Sequence, residues 1–251
     1  MGSNANRRDG THPRTRMSAS DAYARITALG VPTLETSDVG ALLRMSAPAT
    51  SMLLTRLAKS GLVSRIRPGL WLVNRSLGSR YALAEALTSP FPSYVSLQTA
   101  LYIHGMIEQV PSVVYVVSLA RTQRISTSVG VYSVHHLTPD LFDGFEHRTD
   151  GTKVATPEKA LFDIAYLSGG RSRLFAHLPE LEIPKGFRRR RLHGWTARIV
   201  AARRRSMVEK RLHQMLEQAR LRAEREPGST ASAAATARRA TRRRRSSGSG
   251  R

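Results

Sequence analysis

Between Ser46 and Val73 the apolar residues change from helical spacing to strand-like alternation within a few positions. Few folds accommodate that switch in so short a stretch. From Ser46 to Ser60, Ala49, Leu53, Leu54 and Leu57 fall on one side of a helix, while Ser51, Thr55 and Lys59 repeat every four residues on the other, with Arg56 beside them. Ser46 is placed to cap this helix, Pro48 lies in its first turn, where a missing N–H costs nothing, and Gly61 stops it. LVSRIRPGLWLV (62–73) then alternates as two short strands around Pro68 and Gly69. Arg65 and Arg67 stand near the tip of that hairpin, and Trp71 anchors the return strand.

Two further helices are expected upstream. Ser20 is placed to cap one that starts at Asp21, with Tyr23, Ile26 and Leu29 on one face and Gly30 and Pro32 ending it. Ser37 caps a second, with Val39, Leu42 and Leu43 at helical spacing through Arg44. Short helix, tight turn, second helix and basic hairpin, in that order over residues 19–76, predict a winged helix-turn-helix. In that geometry the second helix of the pair enters the major groove and hairpin cations reach phosphate or the minor groove. Ser46, Thr50, Ser51, Thr55, Arg56 and Lys59 are the expected groove residues, and Arg65 and Arg67 the expected wing residues. A polar helix face that is merely solvated, or a winged helix that binds protein, are the alternatives at this point.

Charge favours a polyanionic partner. The 251 residues carry 40 Lys plus Arg against 18 Asp plus Glu, a formal net charge of +22. The excess is uneven: residues 78–187 hold 9 cations and 10 anions, whereas residues 188–251 hold 20 cations and 4 anions. Residues 1–18 and 226–251 lack apolar periodicity and are expected to be disordered, the second as a basic tail of Ala, Ser, Gly and Arg. Arg203, Arg204 and Arg205, and Arg242, Arg243, Arg244 and Arg245 in that tail, are expected to make non-specific phosphate contacts. The chain has no Cys, which excludes a disulfide framework and thiolate zinc sites and fits a reducing, cytoplasmic setting. The longest charge-free run, residues 86–107, is broken by Pro90, Pro92 and several polar residues, so no membrane span is expected. The first residues, MGSNANRRDG, offer neither an apolar signal region nor a myristoylation pattern.

Residues 78–222 read as a mixed α/β domain, making the whole an α+β protein. Short helices are expected around Tyr81–Leu87 and after Ser96, and β-rich runs at 113–118 and 124–137. Thr156 and Pro157 open another helix, in which Leu161, Ile164 and Ala165 pack, Glu158 complements the dipole and Asp163 is a surface charge. A long amphipathic helix spans roughly residues 196–225.

LAKSGLVSRIRPGLWLV (57–73), YVSLQTALYIHGMIEQVPSVVYVVS (94–118), the Gly-Val-Tyr strand at 130–132 and VATPEKALFDIAYL (154–167) together carry a resemblance. In their order and spacing they resemble the AbiEi family of antitoxin transcriptional regulators, the antitoxin half of type IV toxin–antitoxin and abortive-infection systems. The resemblance covers about residues 20–200. It implies a winged helix that represses its own operon by binding inverted repeats in promoter double-stranded DNA, and a C-terminal domain with antitoxin activity. It also implies a nucleotidyltransferase-like toxin partner that is opposed without a stable complex.

Chemistry has little sequence support. His135, His136, Asp140, Asp143, Glu146, His147 and Asp150 form a polar region that a metal-dependent nuclease would need, but no HxH or HExxH spacing is present. Walker, GxGxxG and GxSxG motifs are absent too, so no cofactor and no enzymatic activity are expected. An RNA-binding or ribosome-associated protein is the principal alternative to a DNA-binding repressor.

Overall fold

The computed structural model describes residues 17–73, 79–168 and 180–225. It is mixed α+β, and the chain divides into two compact units: Met1–Leu77 with Thr127–Val129, and Gly78–Ser126 with Gly130–Arg251.

The first unit runs α1 (Ala19–Thr27), β1 (Thr33–Glu35), α2 (Thr36–Leu43), α3 (Ala47–Lys59), β2 (Ser64–Arg67) and β3 (Leu70–Leu72). Its three strands form an antiparallel sheet in the order β1-β3-β2, with Thr33 opposite Leu72 and Ser64 opposite the same residue from the other side. Ile26, Val39, Leu54, Leu57, Val63, Trp71 and Val73 bury the apolar faces of these elements in one core. Sequence periodicity misses β1, because three residues are too few to show an alternation. It also misplaces two caps. Ser18, not Ser20, has extended backbone and accepts from Asp21 N at 3.0 Å, so α1 begins two residues earlier than expected. Ser37 lies inside α2, whose entry is fixed by Asp38 accepting from the backbone N–H of Glu35 at 3.0 Å.

The second unit opens with a 3₁₀ turn (Arg80–Leu83) and α4 (Ala84–Thr88), then β4 (Ser93–Val95), α5 (Leu97–Ile103), β5 (Val113–Ser118), β6 (Gln123–Thr127) and β7 (Gly130–His136). β8 (Phe145–His147), β9 (Lys153–Ala155), α6 (Pro157–Leu167), α7 (Arg189–Ala197) and α8 (Ala202–Arg225) follow. Six strands make a mixed sheet in the order β6-β7-β5-β4-β9-β8, in which β5 runs parallel to β7 and β4 parallel to β9. The valine-rich β5 is central, and Val114, Val116 and Val117 are buried, as expected for a strand paired on both sides. Helix α6 packs against α5, α7 and α8.

Three expectations need correction here. The run 124–137 is two strands, separated by Ser128 and Val129. Ser96 holds the N-cap position of α5 without a side-chain cap bond, because its hydroxyl donates to Asp163 instead. The long C-terminal helix is interrupted: α7 ends at Ala197 and α8 begins at Ala202, with buried Ile199 in the break and its carbonyl taking two bonds from the Arg205 guanidinium, at 2.9 and 2.7 Å. Among the described residues no helix is long and apolar enough to cross a membrane.

Candidate nucleic-acid interface

Helices α2 and α3 are joined by three residues, Arg44 to Ser46, with Arg44 in the left-handed region at φ 53°. The turn is closed by Met45 N donating to Gly40 O at 2.9 Å. A Cβ on Gly40 would lie 3.2 Å from Thr50 Oγ1 and 3.3 Å from Met45 O, so a larger residue would push the two helices apart. Leu53, Leu54 and Leu57 bury one side of α3. The opposite side exposes Ser46, Ser51, Met52, Thr55, Arg56 and Lys59.

Thr50 departs from expectation. It is 0% exposed, and its hydroxyl donates to Ser46 O at 2.9 Å. It belongs to the α2–α3 contact and has no route to a base edge. The reason is simple: Thr50 adjoins Ser51 in sequence but is rotated about 100° from it around the helix. Thr55 does lie on the exposed side, with its hydroxyl donating to Ser51 O at 2.8 Å. Met52, on the same side, is 75% exposed.

The β2–β3 hairpin turns through Pro68 and Gly69, whose φ of +84° suits glycine. An irregularity between Arg65 and Arg67 puts Arg65 opposite Trp71 and Arg67 opposite Leu70. Arg65 is exposed and its guanidinium lies 5.7 Å from the centroid of the Trp71 ring. Arg67 is half-buried. Trp71 is itself buried, and its indole N–H donates to Thr36 Oγ1 at 3.0 Å, while Thr36 N donates to Gly69 O at 2.8 Å. The start of α2 and the hairpin turn are thereby tied together. In the described part of this unit five of the six cations, Arg44, Arg56, Lys59, Arg65 and Arg67, lie from the α2–α3 turn onward and only Arg25 of α1 precedes it, whereas the anions Asp21, Glu35 and Asp38 all precede it.

The expected phosphate-contacting arginines in the second unit are not equivalent. Arg203 is exposed. Arg204 is exposed too, with its guanidinium 3.8 Å from the Tyr166 ring centroid, whereas Arg205 is half-buried and donates twice to Ile199 O, so it alone of the three is committed within the fold. Arg242 to Arg245 lie outside the described residues.

The polar region 135–150 has its own internal partners. Asp143 accepts from the Trp195 indole N–H and from Arg198 Nη1 at 2.7 Å; its desolvation, which would raise the carboxyl, is outweighed by these bonds and by the nearby Arg198 and Lys159 charges, so the carboxyl stays below its ordinary range. Asp150 accepts from Thr152 N at 3.0 Å, which lowers its carboxyl. His135 is buried beside Ser133, with Nε2 at 3.0 Å from the hydroxyl, and burial pushes its imidazole down. Among the described residues no group of three or more His, Cys, Asp or Glu side chains is placed to hold a metal ion.

A buried polar cluster lies in the core of the second unit. Lys159 and Asp163, one turn apart on α6, are both 0% exposed and paired at 2.7 Å. Asp163 also accepts from Ser96 Oγ at 2.7 Å and Tyr94 Oη at 3.0 Å, and Lys159 donates to Leu141 O at 2.8 Å. The rings of Phe162, Trp195 and Tyr94 surround the ammonium at 4.7, 5.4 and 5.9 Å. Desolvation raises the Asp163 carboxyl despite these partners, and burial together with Asp163 raises the Tyr94 phenol well above its usual value. The surface role expected for Asp163 is therefore wrong. Glu158 is buried as well, accepting from Arg188 N at 2.7 Å. These groups are enclosed and hold α6 to the sheet and to α7. The chain matches no protein-family model and no curated protein.

Proposed function

We propose that the first unit is a winged helix-turn-helix and that the protein is a sequence-specific, double-stranded-DNA-binding transcriptional repressor acting in the cytoplasm. The observation that carries this is the exposed side of α3, with Ser51, Arg56 and Lys59, on a unit that also presents Arg65 on a hairpin tied to α2. Laid in a major groove, α3 would bring Ser51 and Arg56 to base edges while Lys59 and the hairpin cations meet phosphates. The basic C-terminal residues would add affinity without sequence preference. The antitoxin role rests on the resemblance of the chain to the AbiEi family, and with it the opposition to a nucleotidyltransferase-like toxin without a stable complex.

Footprinting of the full chain on DNA upstream of its own gene tests the regulator reading. A protected inverted repeat is expected, lost in the Ser51→Ala, Arg56→Ala variant while the thermal unfolding profile is retained. Equal competition by structured RNA and by that promoter DNA would overturn sequence-specific DNA binding. Relief of toxin-induced growth arrest by co-expression of this chain tests the antitoxin half.

A further inference from the structure

Among the described residues of the first unit Met52 is the most exposed large apolar side chain, at 75% against 46% for Leu29 and 39% for Val31. It stands in the middle of the outward side of α3, one turn after exposed Pro48 and one turn before exposed Arg56, with Ser51 beside it. Nothing in the core requires it there, since Leu53, Leu54 and Leu57 fill the packed side. A single exposed apolar side chain is ordinary on a protein surface, and it is the position of Met52, central on the side of α3 that would face base edges, that gives it a role.

In the major groove the apolar feature on a base edge is the C5-methyl group of thymine. We infer that Met52 is a specificity-determining residue that selects thymine by packing its thioether side chain on that methyl group. The inference rests on the DNA-binding reading above and adds the base that the site prefers. The neighbours divide the remaining work. Arg56, one turn on, suits the acceptors of a guanine, and Ser51 accepts or donates to either edge. Met52 is unbranched and adaptable, so it follows a methyl group over small shifts of the helix.

The test begins with duplexes enriched from a random-sequence DNA library by the full chain. Each thymine of the enriched site is then replaced singly by deoxyuridine, which removes the methyl group and leaves every hydrogen-bonding group in place. Loss of one buried methyl corresponds to about fourfold in affinity. The wild-type chain should lose about that factor at one thymine of each half-site. Met52→Ala should bind the thymine and uracil duplexes equally, and Met52→Leu should restore the difference. Enrichment of a site whose thymines all tolerate uracil, or an undiminished methyl preference in Met52→Ala, would overturn the role of Met52 and leave DNA binding standing. A library that yields no enriched sequence would overturn both.

Discussion

Replacing Lys159 by Met separates the two terms in the core of the second unit, charge pairing and packing. The Met side chain is close to the lysine stem in length and keeps contact with the Phe162 and Trp195 rings, so little cavity is created. The substitution removes the 2.7 Å pairing to Asp163 and the donor to Leu141 O. Removing one partner of a buried pair costs about 3–5 kcal/mol. The lower end applies here because Ser96 and Tyr94 still donate to Asp163, which gives a deficit of about 3 kcal/mol. For a unit of this size the melting temperature should fall by roughly 6–12 °C. The pH dependence follows from Asp163, whose carboxyl is raised by burial. Such a group contributes fully below its unfolded value of about 4 and loses that contribution as pH rises through its folded value. Removing the ammonium raises the folded value further, so the deficit of Lys159→Met should be largest near pH 7 and shrink toward pH 5. Adding Asp163→Asn, which cannot ionise, should recover most of the loss and abolish the pH dependence. Urea unfolding followed through Trp195, in a Trp71→Phe background, measures all three variants. A deficit below about 1 kcal/mol at pH 7, or one that grows toward acid, would refute this account of the pair.

Gly144→Ala should cost about 3 kcal/mol, because φ is +77° and the new methyl would meet Trp195 Cζ2 at 2.5 Å and the Lys159 stem at 3.1 Å; chemical unfolding with a loss under 1 kcal/mol would contradict it. Thr50→Val should lower stability by about 1 kcal/mol by removing the bond to Ser46 O, yet leave DNA affinity within about twofold. In the same titration Arg56→Ala should weaken binding about tenfold or more; a tenfold loss in Thr50→Val would return that residue to the groove. Truncation after Pro227 should weaken binding to all DNA alike and flatten the dependence of log affinity on log salt by about 0.9 for each phosphate that is no longer neutralised. An unchanged slope would remove the basic C-terminus from the DNA interface.

The parts legible in the sequence were those whose signals are local. The bounds of α3 follow from Pro48 and Gly61, with Ser46 at the N-cap position though its side chain makes no cap bond, and the hairpin from the alternation around Pro68 and Gly69. β1 and β4 escaped because each has only three residues and takes its place from distant partners, Leu72 for Thr33 and Val154 for Val95. Lys159 and Asp163 were hidden for a different reason: a cation and an anion four residues apart look the same in sequence on a wet helix face and in a core. Only the rings of Tyr94 and Trp195, 65 residues before and 36 after Lys159 in the chain, reveal which applies. At the candidate interface the face of α3 was legible, and so was the rotation of Thr50 away from Ser51, but not how fully the close approach permitted by Gly40 buries it.

The bond from the Trp71 indole to Thr36, and from Thr36 to Gly69, has a consequence for how evolution could retune this protein. With the hairpin turn and the entry of α2 held together by backbone and indole bonds anchored on buried Trp71, the exposed positions Ser51, Met52, Arg56 and Arg65 are free to change without moving the frame that carries them. Under the proposed DNA-binding reading, new target sequences then become reachable by single substitutions. Because the frame is already ordered before any ligand arrives, little conformational entropy is lost on association, and a small contact surface suffices.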